Sequence, residues 1–376
     1  GASNTETPGM RHAVRDAAGN LYVTYMKRYP STTINNVMVA KSTDGGSTWA
    51  ETPLLASGTY NQFGGTLAVA ADGTVHCVFN SKNAASGTAY YLFHATYDGS
   101  TWTVPAITAP TLATKDFRYA SIDCDPSGNV HLVAYENAGT SSAYYAKRTG
   151  TTWGSLETVT TPTAAYTCRA SVVADASGDA HIAYATQVGS VHKLHYVKRT
   201  TSLQTAVEVG SHATLTFEHP GIVWALNGSL RVSYVAEASG TTSLIYCAYS
   251  ATGATWASVL VSDEPTLDMD YPSVAVLTDG STAVVWSGTH AGSTTYAQTN
   301  LRTCAGALDH TNIANWSAVS HITSAAEVSN QASLLGGMAI SSNKLTAGYF
   351  FVYTYGTVAG SNTIKVMSSA DVAALV

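Results

Sequence analysis

Residues 42–49 read STDGGSTW, an octet with the chemistry of a tight reversal between two strands. Gly45 and Gly46 tolerate positive φ, Ser42 and Asp44 carry oxygens that can accept from turn amides, and Trp49 can cover the sheet edge with apolar area. Shortened copies follow: TYDGSTW ending at Trp102, RTGTTW ending at Trp153 and SATGATW ending at Trp256. A second element recurs, a glycine followed six or seven residues later by an aromatic side chain: Gly19 and Tyr25, Gly73 and Phe79, Gly128 and Tyr135, Gly178 and Tyr184, Gly228 and Tyr234, Gly280 and Trp286. A chain punctuated in this way is an array built from one repeated supersecondary unit.

The final unit departs from the pattern, with Asn343 in the glycine position and Tyr349 six residues on; counting it gives seven units. Successive turn glycines lie roughly 50 to 55 residues apart, with a longer step only before the last, which is the range of four-stranded propeller blades. The expected blades fall at roughly 9–57, 61–110, 116–161, 165–211, 216–263, 269–324 and 329–376, a single domain over 1–376. In the third unit the strands read SIDCD, NVHLVAY, SAYYAKR and SLETVT, parted by Gly, Ser, Asn or Thr. The composition, with 11% charged residues, 31 Gly and 22 Tyr, is that of a β-rich globular protein. The one short candidate for a helix is the ADVAALV tail.

The octet matches the Ser-x-Asp-x-Gly-x-Thr-Trp pattern of the Asp box at every fixed position. On that motif and its copies, the chain resembles the Asp-box (BNR-repeat) β-propellers of the sialidase superfamily. The resemblance implies an all-β fold, a seven-bladed β-propeller of four-stranded antiparallel blades with Asp-box turns. It also implies a polarity, with each innermost strand starting at the ligand face and the Asp-box turns on the opposite face. Asp44 and Trp49 then lie away from any ligand, and two rings of residues lie near it. The inner-strand starts contribute Met10, Arg11 and His12; Gln62, Phe63 and Gly64; Phe117, Arg118 and Tyr119; Cys168 and Arg169; Glu218 and His219; Asp270 and Tyr271; Asn330 and Gln331. The loops after the second strands contribute Lys27, Arg28, Asn80, Lys82, Glu136, Asn137, Gln187, Glu237, His290, and Tyr353 or Tyr355.

With only 18 Lys plus Arg in the chain, the placing of Arg11, Arg118 and Arg169 at equivalent strand starts points to forked recognition of an anionic sugar or carboxylate. His12 and His219 stand at strand starts and are candidates for proton transfer or ligand bonding. His76, His131 and His181, repeated on second strands, read instead as packing groups bonded to a neighbouring strand. The ligand-binding set is therefore Arg11, His12, Arg28, Arg118, Tyr119, Arg169, His219, Tyr271 and Gln331, with His219, Tyr271, Tyr119 and Glu218 as candidates for catalysis.

Several partner classes are disfavoured. A net charge of −6 with scattered Lys-Arg pairs provides no basic stripe for nucleic acid. No apolar run is long enough for a transmembrane helix. The start, GASNTETPG, has no signal-like apolar core, and Gly1 to Ser3 read as a cloning scar, so the compartment is left open, with a secreted, cell-surface or virion-associated setting suspected and no export signal in the sequence. Cys77, Cys124, Cys168, Cys247 and Cys304 are an odd number spread over different units and read as buried small hydrophobes, which best fits folding in a reducing cytosol, although secreted propellers can also keep free thiols. No Cys-x-x-Cys pattern exists for zinc, His192 and His195 fall on opposite faces of a strand, and Asp268 with Asp270 reads as a solvated turn more readily than as a cation site. No cofactor is expected. The sequons at Asn227 and Asn315 matter only in a eukaryotic secretory setting.

Three carbohydrate readings follow, with binding ranked ahead of catalysis. A lectin-like or phage-tail receptor-binding module would use Tyr29, Tyr119, Tyr166, Tyr271 and Tyr353 to stack on sugars, and Asn80, Asn137, Gln187 and Gln331 to bond hydroxyls. A polysaccharide lyase would use a neutral His or a Tyr to take the proton α to a uronate carboxylate while Arg neutralises that carboxylate. A sialidase, by the resemblance, would need an arginine triad, a Tyr–Glu nucleophile and an Asp acid/base. Arg11 and Arg28 match two of the arginines by position, but His12 and Ala13 replace the usual Ile-Pro and no Tyr–Glu pair can be assigned. A protein-interaction platform ranks fourth.

Overall fold

The structure is a computed structural model that describes residues 3–4, 12–28, 34–55, 61–82, 89–104, 115–136, 142–160, 169–188, 191–212, 214–238, 242–262, 269–277, 279–290, 293–321, 328–334, 350–356 and 362–368. Only the backbone is described at 3–4, 28, 188, 238, 242, 270, 289–290, 293–298 and beyond 321. The chain is an all-β propeller of antiparallel sheets, each built by consecutive strands in up-and-down order. In the third blade Phe117–Cys124 pairs with Val130–Glu136, which pairs with Ser142–Thr149, whose far edge takes Thr152–Trp153 and Glu157–Thr160.

Six sheets carry four strands or more, so six complete blades stand where seven were expected. The last repeat yields three strands, Val328–Leu334, Phe350–Gly356 and Asn362–Ser368. The last unit carries no octet or eroded copy of it, unlike the first, second, third and fifth, but the fourth and sixth reach four strands without one, so the turn motif alone does not decide whether an outer strand pairs. Among the described residues nothing pairs with the outer edge of Asn362–Ser368. Ser3–Asn4 joins the first blade, pairing with Lys27 and Met26 of Leu21–Arg28 beside Ala13–Arg15. The ADVAALV tail lies outside the described residues.

The core lies between blades. Apolar clusters join the first blade to the second, the second to the third, and so on to the sixth. The recurring aromatic of each complete unit is buried: Tyr25, Phe79, Tyr135, Tyr184, Tyr234 and Trp286. Inner strands are also tied by polar side chains reaching the next blade. Asp123 Oδ2 accepts from the Ala174 amide at 2.8 Å, Ser121 Oγ from Val172 at 3.3 Å and Ser171 Oγ from Ile222 at 3.4 Å. Cys77, Cys124, Cys247 and Cys304 are free thiols buried in this core; Cys168 lies outside the described residues.

The octet 42–49 forms the reversal its chemistry predicts. Ser42 Oγ accepts from the Gly46 amide at 2.8 Å, Asp44 Oδ1 from the Thr48 amide at 2.9 Å, and the Trp49 indole donates to the Gly46 carbonyl at 3.0 Å. Gly45 and Gly46 have φ of 70° and 97°. The Thr48 hydroxyl and amide, with the Ser42 hydroxyl, hold the Asp44 carboxyl down at about 2. The antiparallel order puts this reversal at one end of the blade and the start of the inner strand at the other.

Candidate functional site

The inner strands begin irregularly, and in the same manner in blade after blade. Pairing skips from Phe63/Thr66 in the second blade, Arg118/Ser121 in the third, Glu218/Gly221 in the fifth and Asp270/Ser273 in the sixth. Each skip is a β-bulge, which re-aims the bulged side chain and kinks the strand. The bulged residues Gly64, Tyr119, His219 and Tyr271 have φ of 66°, 49°, 52° and 56°. Glycine takes this left-handed region freely, whereas tyrosine and histidine hold it only when their surroundings impose it. Tyr119, His219 and Tyr271 are the only non-glycine residues with positive φ among those described. Gln331 sits at the corresponding shift in the last sheet, between Asn330 and Ala332.

Two connected groups of side chains are built on these bulges. In the first, Glu218 Oε2 lies 3.4 Å from His219 Nε2 and 3.9 Å from Arg169 Nη2. The His219 ring, buried, stacks on Tyr271 with centroids 5.3 Å apart. Arg169 places its Cζ 5.3 Å from the centroid of Tyr119, whose ring stacks on Tyr135 at 6.0 Å. The Nε and Nη1 of Arg169 are buried and, among the described residues, have no hydrogen-bond partner. His192, at the start of a third strand, feels the Glu218 charge; burial nevertheless lowers its basicity.

In the second group Arg118 lies against two rings that meet edge-on with centroids 4.6 Å apart, its Cζ 4.2 Å from the centroid of Tyr90 and 5.1 Å from that of Phe63. Asp116 braces it, taking the Arg118 Nη2 donor on Oδ2 at 3.2 Å and the Tyr90 amide on Oδ1 at 2.8 Å. Lys82 sets its ammonium 4.8 Å from the Tyr90 ring centre. Phe63 in turn meets Tyr119 edge-on at 6.4 Å, which joins the two groups.

Arg118, Tyr119, Arg169, Glu218, His219 and Tyr271 thus form one contiguous path across the third to sixth blades. Elsewhere, His12 is buried at the start of the first blade, where its carbonyl accepts from the Thr24 amide at 2.7 Å. Arg28 ends the strand Leu21–Arg28, with only its backbone described, as for Gln331, Asp270, His290, Tyr353 and Tyr355. Arg11, Tyr29, Asn137, Tyr166 and Asp268 lie outside the described residues. Lys27 turns outward to a salt bridge with Glu51, and Glu136 takes both Lys115 and Tyr144. Asn80 is buried and donates to the Phe117 carbonyl at 2.7 Å, a bond between blades. Among the described residues no cluster of three or more His, Cys, Asp or Glu side chains is arranged to hold a metal.

Tyr90, Asp116 and His192 were missed in the sequence. For Tyr90 and His192 the signal was available, because third strands start at the end where second strands finish, so their first residues belong to the same face; Asp116 directly precedes the inner strand Phe117–Cys124.

The repeated histidines face a different task. His131 and His181 each bridge an aspartate, Asp125 or Asp175, and a tyrosine hydroxyl, Tyr145 or Tyr196, at distances of 2.7 to 3.2 Å. Burial opposes the charge of Asp125, but bonds from His131, Asn129 and Lys147 outweigh it and hold the carboxyl well below its usual range. His76 stacks on His94 with Nδ1 3.0 Å from Nε2, and burial lowers His76 to about 4.

This architecture is shared with known propellers. No protein-family model matches the chain, and no curated protein matches it. Among solved structures it is similar to a polysaccharide lyase, a PL25 ulvan lyase bound to -[GlcA(1-4)Rha3S]-, with a TM-score of 0.66 at 10% identity over 99% of this chain and 98% of that one. It is also similar to an α-L-arabinofuranosidase from Fusarium graminearum, with a TM-score of 0.57 at 14% identity over 81% and 92%. The Hadza microbial sialidase Hz136 gives a TM-score of 0.52 at 17% identity over 76% of this chain, which spans 63% of the sialidase's length. At such identities the likeness is one of fold.

Proposed function

We propose that the face carrying the strand starts binds an acidic polysaccharide, with Arg169 and Arg118 taking its anionic groups and Tyr119 and Tyr271 contacting sugar rings. One observation carries this reading: the three non-glycine residues held at positive φ all sit at the same bulge of the inner strand. Backbone strain of this kind, of order 1–3 kcal/mol per residue, persists where the surroundings enforce it and clusters at ligand sites. The side chains so held are an imidazole and two phenols, flanked by a guanidinium and a carboxylate, which suits an anionic, hydroxylated ligand. The lyase, arabinofuranosidase and sialidase of similar fold support carbohydrate as the ligand class. The bonding of the octet supports reading it as an Asp box.

A second reading, cleavage by β-elimination, is favoured by the stacked pair His219–Tyr271 beside Arg169. Arg169 would neutralise a uronate carboxylate, His219 or Tyr271 would take the proton α to it, and the glycosidic bond at the β carbon would break to leave an unsaturated sugar.

A panel of uronate-containing polymers tests both readings. Binding by calorimetry without ultraviolet absorbance from an unsaturated product supports the binder. A rise in that absorbance, abolished in His219→Ala, supports the lyase. New reducing ends without unsaturation would point to hydrolysis, and no binding to any polymer would overturn the carbohydrate reading.

A further inference from the structure

Arg118 stands apart from the His219 centre in a setting of its own. Its guanidinium is faced by Tyr90 and Phe63, fixed at one corner by Asp116 and joined by the Lys82 ammonium on the same ring. Phe63, Tyr90, Lys82 and Arg118 come from four different segments of two blades, yet all lie at strand ends of one face. Aspartate alone would make Arg118 a structural salt bridge. Two observations argue for more. The Asp116–Arg118 contact uses a single guanidinium nitrogen rather than the two-pronged geometry that would occupy the fork. The side chain is also 24% exposed while its Nε is buried and, among the described residues, has no hydrogen-bond partner.

We propose that Arg118, with Phe63, Tyr90 and Lys82, forms a second oxyanion subsite, separate from Arg169, that takes a sulfate or carboxylate on a different sugar of the same chain. This rests on the reading of the face as an acidic-polysaccharide site and adds to it a rule of selection: the preferred polymer carries negative groups on more than one sugar of its repeat. Between the two cations stand the rings of Phe63 and Tyr119, in edge-on contact with each other.

The test uses the full chain and two polymers with comparable uronate-containing repeats, hyaluronan and chondroitin 4-sulfate, the second with an added sulfate. Binding is measured by calorimetry for the wild type, Arg118→Gln and Arg169→Gln, with circular dichroism to verify folding. The subsite predicts that the wild type prefers chondroitin 4-sulfate, and that Arg118→Gln loses about tenfold on that polymer but under about twofold on hyaluronan. Arg169→Gln weakens both. Polygalacturonate, with a carboxylate on every sugar, separates the two ligand groups: a loss in Arg118→Gln there as well makes the subsite general for oxyanions, and no loss makes it specific for sulfate. Equal affinities for Arg118→Gln and wild type on all three polymers overturn the subsite alone. Absence of wild-type binding to all three overturns the acidic-polysaccharide reading together with it. If Arg118→Gln unfolds, Lys82→Gln and Phe63→Leu supply the same comparison, and parity of both with the wild type overturns the subsite.

Discussion

His219 and Tyr271 are each followed by proline, Pro220 and Pro272, and a residue before proline is steered toward extended backbone. Both nevertheless have positive φ. Their place at strand starts was legible in the sequence, but their conformation was not, because it arises from the bulge and from the ring stacked across the blade boundary. The cost can be measured. Tyr271→Gly removes the strain and Tyr271→Ala keeps it, so the glycine variant should be more stable than the alanine variant by about 1 kcal/mol in urea unfolding, with ligand binding weakened in both. A second residue-scale effect concerns His76 and His94. Burial, with the Arg148 charge adding to it, lowers His76 to about 4, and burial likewise depresses His94. In the unfolded chain both would titrate near 6.5, so between that value and about 4 the unfolded state binds more protons. Stability is therefore full above about pH 6.5 and falls as the pH drops toward 4, by on the order of 1–3 kcal/mol. Thermal melts from pH 7 to 4.5 should show this decline, flattened in the double variant His76→Gln/His94→Gln.

The element best read from sequence was the reversal at 42–49, because its bonds are local and each is made by a residue of the octet itself. Bulges depend on the partner strand, and nothing in Phe117–Cys124 alone marks the skip between Arg118 and Ser121. The last sheet shows the same limit: periodicity counted a seventh unit, but among the described residues it holds three strands, and repeat spacing does not show whether an outer strand pairs. Bulges also bring elements close. A Cβ added at Gly65, in the second-blade bulge, would lie 2.1 Å from Thr24 Oγ1 of the first blade. Gly65→Ala should therefore cost about 1–3 kcal/mol, read as a lower urea midpoint, and the companion change Thr24→Ala should recover part of that loss.

Across the whole molecule, similar side-chain hydrogen bonds join successive inner strands, as when Asp123 reaches Ala174 and Ser171 reaches Ile222. Each joins one blade to the next, so the array resembles a chain of nearest-neighbour couplings. Asp123→Ala leaves a buried amide without its acceptor and should cost about 1–3 kcal/mol, and Ser171→Ala about 1 kcal/mol. The two act at different boundaries, so the double variant should add within about 0.5 kcal/mol; a larger discrepancy would mean that strain crosses the fourth blade.

The glycine at the second-blade bulge has one more consequence. Gly64 takes the same left-handed turn as Tyr119, His219 and Tyr271 but presents no side chain. The described strand starts therefore differ from blade to blade in what they present. A polysaccharide has a reducing and a non-reducing end, and unequal strand starts distinguish them. A linear chain held as proposed, from the arginine of the third blade to the histidine of the fifth, would meet different neighbours when reversed, so a ligand bound there would take one direction.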